Sequence, residues 1–139
     1  MGILIDASIL IAHERGTLDI SAPVERRITG REDEGLHLSV ITVSELLHGV
    51  HGAEDKTRRT RRSAWVESLL DQFPVLPIDM PTARAHAELW AGLAAAGTPV
   101  GAHDLWIAAT AISRGLSLAT ANRREFARVP GLVVEDWLE

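Results

Sequence analysis

The chain has 139 residues, 46% of them hydrophobic, and carries 19 acids against 14 bases for a formal net charge of −5. That length suits one domain with a real core, and the absence of cysteine excludes a disulfide framework and thiolate chemistry, leaving a zinc site only histidines and carboxylates to draw on. An acidic protein is not a general polyanion binder, and no apolar run approaches the roughly 18 residues needed to span a bilayer. The expectation is a soluble, cytoplasmic chain without membrane contact.

In chain order, residues 2–5 form a short β-branched strand ending at Asp6, and apolar character resumes from Ser8 to Ala12 as a helix after a tight turn. Residues 36–42 predict a second strand, followed by a helix bearing Glu45. The run Lys56-Thr57-Arg58-Arg59-Thr60-Arg61-Arg62 concentrates positive charge and opens a long helix over residues 56–73, with Trp65, Leu69 and Leu70 on one face and Pro74 ending it. Taken alone, the run reads as a solvated helix face; the alternative is that it guides a nucleic acid without stabilising the fold. A short strand at 75–78 precedes an Ala-rich helix from Pro81 to near Gly97. A helix over 104–114, a strand over 116–119 and a last strand near 132–134 complete the pattern. Short strands alternating with long helices predict a three-layer α/β/α fold around a mostly parallel sheet of about five strands, as one domain over residues 1–139.

Most acids lie in polar stretches such as Arg31-Glu32-Asp33-Glu34 and Glu54-Asp55. Three do not. Asp6 interrupts Ile3-Leu4-Ile5 and Ile9-Leu10-Ile11, Glu45 lies between Val40-Ile41-Thr42-Val43 and Leu46-Leu47, and Asp104 heads Leu105-Trp106-Ile107-Ala108-Ala109. Burying an unpaired carboxylate is costly, and two such charges about 4 Å apart repel by roughly 4 kcal/mol at an effective dielectric of 20. All three fall at element ends, where the carboxyl edge of an open parallel sheet could bring them together. A divalent cation would resolve the repulsion, and all-oxygen ligation favours Mg²⁺ or Mn²⁺ over Zn²⁺. Each acid also has a structural reading: Asp6 as a turn or helix cap, Asp104 as a cap or a first-turn acid favoured by the helix dipole, Glu45 as a partly exposed first-turn residue.

The ordered set Ile-Leu-Ile-Asp-Ala-Ser at the start, Ser44-Glu45-Leu46, Asp104-Leu105-Trp106-Ile107-Ala108-Ala109-Thr110-Ala111 and Leu118-Ala119-Thr120-Ala121-Asn122-Arg123-Arg124-Glu125-Phe126 resembles the PIN-domain family, specifically VapC-type toxins of toxin–antitoxin pairs. The resemblance runs the length of the chain. It implies a metal-dependent endoribonuclease, blocked by a cognate antitoxin and paired as a homodimer within the complex, with Asp6, Glu45 and Asp104 as metal-holding and catalytic acids. Asp6 and Asp104 are expected to ligate directly, Glu45 from an outer position. Where many relatives carry a fourth acid, this chain offers Asn122, with Glu125 three residues later to complete the set; a second ion is then in doubt. Ser8 and Thr120 are expected to hydrogen-bond an acid or a substrate phosphate, and Arg123 and Arg124 to meet RNA phosphate, against ordinary turn hydroxyls and a solvent-facing pair.

Rival readings are weaker. Glu45-x-x-His48 has the spacing of one half of a di-iron site but has no second copy, and His48-x-x-His51 with His103-Asp104 lacks the further histidines of a metal hydrolase. A phosphoacceptor domain needs a lysine on a late strand, and Lys56, the only lysine, lies in the basic run. The main alternative is a catalytically inactive PIN-like module that binds RNA or a protein partner.

Overall fold

The computed structural model describes residues 2–21 and 35–137, so the acidic stretch at 31–34 lies outside the described residues. Strand β1 (Ile3–Ile5) is followed by helix α1 (Ala7–Glu14), then by β2 (Leu36–Ser39), α2 (Val40–His51) and α3 (Lys56–Gln72). Next come β3 (Val75–Leu76), α4 (Met80–Ala96), α5 (Ala102–Ser113), β4 (Ser117–Ala119), the short α6 (Arg123–Phe126) and β5 (Val134–Glu135). All pairings are parallel, in the order β3-β2-β1-β4-β5. The chain moves outward from β1 through β2 to β3, then crosses back to lay β4 on the other side of β1. The carboxyl ends of β1 and β4 therefore flank the point where the strand order reverses, the crevice in which open α/β sheets hold their ligands.

Strand periodicity sends Ile3 and Ile5 to one face and Leu4 to the other. Ile3 and Ile5 join Ile9, Leu38, Leu46, Val66 and Ala119 in one core, while Leu4 joins Ile107, Ala108, Ala111, Leu118 and Phe126 in a second. The sheet is thus covered on both sides, the expected three-layer arrangement. No helix among the described residues is long and apolar enough to cross a membrane.

Two boundaries differ instructively from the sequence expectation. The strand predicted over 36–42 stops at Ser39, whose hydroxyl accepts hydrogen bonds from the backbone N–H groups of Ile41 (3.0 Å) and Thr42 (3.1 Å). That cap starts a helix through Val40-Ile41-Thr42-Val43, and burial of Thr42 against the core outweighs the β preference of branched side chains. The last strand lies at Val134–Glu135, slightly beyond the predicted 132–134, because Leu118 pairs with Val134 and Ala119 with Glu135. Elsewhere the caps are as the residue types dictate: Asp55 accepts from Arg58 N–H at 2.8 Å, Asp79 from Thr82 N–H at 3.0 Å, and Gly97 ends α4 at φ 71°.

Candidate active site

Asp6 stands at the end of β1, and its backbone N–H donates to the carbonyl of Ala119 on β4 at 2.9 Å. Although it occupies the N-cap position of α1, its side chain bonds no helical N–H. One carboxylate oxygen, Oδ2, instead accepts from the hydroxyls of Ser8 (2.6 Å) and Thr120 (2.8 Å). Those hydroxyls are themselves pinned by the turn after β4: Ser8 Oγ accepts from Ala121 N–H and Thr120 Oγ1 from Asn122 N–H, both at 3.0 Å. The cap reading of Asp6 therefore fails, and Ser8 and Thr120 position an acid, as one of their two expected roles required. Asp6 is only 6% exposed, yet its charge is met by charge-assisted hydrogen bonds.

Glu45 sits beyond the first turn of α2, because that helix begins at Val40. Its Oε2 lies 3.7 Å from Nδ1 of the exposed His103, while Oε1 is buried with no hydrogen-bond partner. Burial, then the charge of Asp6, pushes the Glu45 carboxyl above its ordinary range, with His103 acting in the opposite direction.

Asp104 lies in the first turn of α5, whose N-cap is Gly101 and carries no capping side chain. A dipole-favoured acid would titrate low; Asp104 is pushed up to about 6, first by burial, then by the charges of Glu125, Asp6 and Glu45. Acidic company adds to the effect of burial. Glu125 supplies part of it from α6, held by Gly101 N–H to Oε1 at 2.7 Å and by Asn122 Nδ2 to Oε2 at 3.2 Å. These bonds, the backbone one foremost, hold Glu125 below its ordinary range. Of the two candidates for the last acid, Glu125 is thus the one beside Asp104, and Asn122 orients it.

Gly101 escaped the sequence reading. A Cβ there would stand 3.3 Å from Glu125 Oε1, so the missing side chain lets the α5 N-terminus approach that acid closely. A glycine just ahead of an acid-headed helix was the available signal. Arg123 is engaged elsewhere, its NH1 group 3.0 Å from Asp136 Oδ2, whereas the exposed Arg124 makes no hydrogen bond or ion pair among the described residues.

The four acids come from β1, α2, α5 and α6 and share one electrostatic neighbourhood. Among the described residues no three His, Asp or Glu side chains stand so placed that they could hold a metal ion together. The chemistry of the donor set nevertheless suits a hard cation: it is all carboxylate, two members are pushed toward protonation by burial and then by acidic neighbours, and the buried Glu45 Oε1 has no hydrogen-bond partner among the described residues.

A family model described as "PIN domain" matches residues 3–132. The chain belongs to the PIN-domain family. Its PIN relatives include Ribonuclease VapC1 of Rickettsia felis, 34% identical over 134 residues, covering 96% of this chain and 95% of that protein. The tRNA(fMet)-specific endonuclease VapC of Salmonella typhimurium is 43% identical over 100 residues, 72% of this chain and 74% of that one. Among solved structures, DNA-bound VapBC from Salmonella typhimurium superposes with a TM-score of 0.84 at 32% identity, covering 99% of this chain and 98% of that one. The PIN resemblance carried by the sequence motifs, toward VapC-type toxins in particular, agrees with the comparisons in both fold and family.

Proposed function

We propose that this PIN domain is the toxin of a toxin–antitoxin pair and cleaves RNA by hydrolysis of phosphodiester bonds with the help of Mg²⁺ or Mn²⁺. The observation that carries the reading is the convergence of Asp6, Glu45, Asp104 and Glu125 at the sheet's reversal point, with Asp104 pushed up to about 6. Charge crowding of that kind lowers stability and is retained where it binds something positive. The relatives named as ribonucleases supply the reaction class.

Asp6 and Asp104 would hold the ion directly, and Glu45 would reach it through its unpartnered Oε1 or accept the proton of the attacking water. A bound divalent cation would neutralise the acids and polarise the phosphoryl oxygen. Ser8 and Thr120 keep Asp6 Oδ2 fixed, so the geometry is set before substrate arrives. Glu125 adds negative charge beside Asp104 and is oriented by Gly101 and Asn122. Arg124 is available to a substrate phosphate; Arg123 would first have to leave Asp136.

A metal titration of RNA cleavage tests this reading. Activity that rises with Mg²⁺ or Mn²⁺ and vanishes in Asp104→Asn is expected; no cleavage at any concentration of either ion would leave a binding module. The VapBC complexes among the structural neighbours support an antitoxin partner. Since the pocket is negative, that partner should place an Arg or Lys in it, and a saturated complex that keeps full activity would overturn the pairing. Sedimentation of the complex checks the expected homodimer.

A further inference from the structure

Several arginines of the chain hold backbone carbonyls. Arg59 donates to the carbonyl of Ala53 at 3.2 Å and Arg62 to that of Gly49 at 3.0 Å, so both tie α3 to the end of α2, while Arg61 has no partner among the described residues. The expectation that the whole basic run is neutral to the fold is corrected by these bonds. Arg114, just past the end of α5, donates to the carbonyl of Pro77 at 3.2 Å and to Asp79 Oδ2 at 3.0 Å, ahead of α4. Arg128 does the same for the loop ahead of α5, its NH1 group 3.0 Å from the carbonyl of Pro99.

That last loop delivers Asp104. Helices α2, α3 and α4 are each capped by a side chain of their own, Ser39, Asp55 or Asp79, whereas α5 follows Gly101 with no side-chain cap. The loop runs between two glycines, Gly97 at φ 71° and Gly101, so its own backbone restrains it weakly. The first helical bond runs from Leu105 N–H to the Gly101 carbonyl at 2.9 Å, which leaves the Pro99 carbonyl outside the bond pattern of the helix. What fixes the start of α5 comes instead from α6 and the turn after it. Glu125 accepts from Gly101 N–H at 2.7 Å, Val100 packs on the core that holds Phe126 and Val129, and Arg128 reaches Pro99. The Arg128 backbone is itself anchored, its N–H donating to the Glu125 carbonyl at 3.2 Å and buried Val129 following it. The charge of Arg128 also helps to hold the Glu125 carboxyl low.

We propose that Arg128 is a positioning residue for the carboxylate site: by holding the Pro99 carbonyl it fixes the loop against α6 and so sets where Asp104 stands relative to Asp6 and Glu125. The inference rests on the nuclease reading above and adds to it a residue whose side chain bonds none of the four acids. Arg128 acts on the reaction only through the backbone it holds, and a small misplacement of a reacting group is costly in rate.

Amide exchange followed by NMR tests this without substrate or metal. Arg128→Ala should speed exchange at Gly101 and Leu105 about five-fold, as for the loss of one ordinary hydrogen bond. Arg114→Ala, which frees the Pro77 carbonyl ahead of α4, should leave both amides as they are. At saturating Mg²⁺, Arg128→Ala should lower kcat for RNA cleavage on the order of ten-fold with KM nearly unchanged, a loss usual when the support of a metal-holding group is removed. Arg128→Lys keeps a donor and the charge and should recover most of it. Unchanged exchange at Gly101 and Leu105, full kcat in Arg128→Ala, or an equal loss of kcat in Arg114→Ala overturns the proposal. So does a rise in KM at constant kcat, which would make Arg128 a phosphate contact. The two readings fail separately: a wild type that cuts nothing with either ion while exchange responds to Arg128→Ala sinks the nuclease and leaves the brace. Cleavage by the wild type with exchange and kcat indifferent to Arg128→Ala does the reverse.

Discussion

The strand-borne acid and the helix-borne acids of the site are built on opposite principles. Asp6, at the end of a central strand, is the most deeply buried of the four, and its charge is balanced from within by two hydroxyls that are themselves bonded to backbone N–H groups. Glu45 and Asp104, on helices packed to either side, are less buried yet unbalanced, one with an unpartnered oxygen and the other raised by burial and then by three acidic neighbours. Burial leads in raising both helix-borne carboxyls and acidic neighbours add to it, whereas Asp6 is supplied with two hydroxyl donors. The sheet edge provides a fixed point, and the helices bring charge that the proposed cation would offset.

The comparison is broken most sharply by neutralising each partner. Asp6→Asn and Asp104→Asn should both abolish RNA cleavage, but with opposite effects on the fold. Asp6→Asn weakens two charge-assisted hydrogen bonds and should cost about 1.5–3 kcal/mol. Asp104→Asn removes repulsion and should raise stability in EDTA at pH 7. Melting curves that move the same way for both variants would sink the contrast.

The pH dependence carries the same sign. Asp104 holds its proton to about 6 in the folded chain and to about 3.9 when unfolded, so the folded state binds more protons between those values. Its contribution is complete below the unfolded value and is lost as pH rises through 6, on the order of 2–3 kcal/mol in EDTA. Stability in wild type should therefore fall between pH 4 and 7 relative to Asp104→Asn, measured by denaturant titration at each pH.

Mg²⁺ should reverse that loss. At about 100 times its dissociation constant it should stabilise the wild type by about 2.7 kcal/mol, and Asp104→Asn much less, because it binds the folded state alone. Equal stabilisation of both proteins would place the ion elsewhere. The smallest effect separates the two kinds of arginine on α3. Arg59→Ala and Arg62→Ala should each cost about 1 kcal/mol through the lost carbonyl bond, and Arg61→Ala close to nothing, by thermal melting.

Asp6, Glu45 and Asp104 stood out in the sequence because a charge inside an apolar run is expensive and therefore conspicuous. The alternation of short strands and long helices likewise exposed the parallel sheet. What stayed hidden depended on contacts distant in sequence. The choice of Glu125 over Asn122 is made by the N–H of Gly101, 24 residues away, and no periodicity encodes that. The start of α2 was masked by four residues of which three are β-branched apolar, whose strand preference is overruled by one serine hydroxyl. Arg59 and Arg62 looked identical to Arg58 and Arg61 until the end of α2 was seen to lie beneath them.

The central position of β1 also sets the order in which the site comes apart. Flanked by β2 and β4, with the Asp6 amide bonded across to Ala119, this strand can release its protons to solvent only when the sheet itself opens. The first turn of α5, with its exposed Ala102 and His103, has no such clamp. Amide exchange should therefore report two opening energies within one constellation of acids. On warming, Asp104 would lose its place while Asp6 still holds its own, so activity would fade ahead of the global transition.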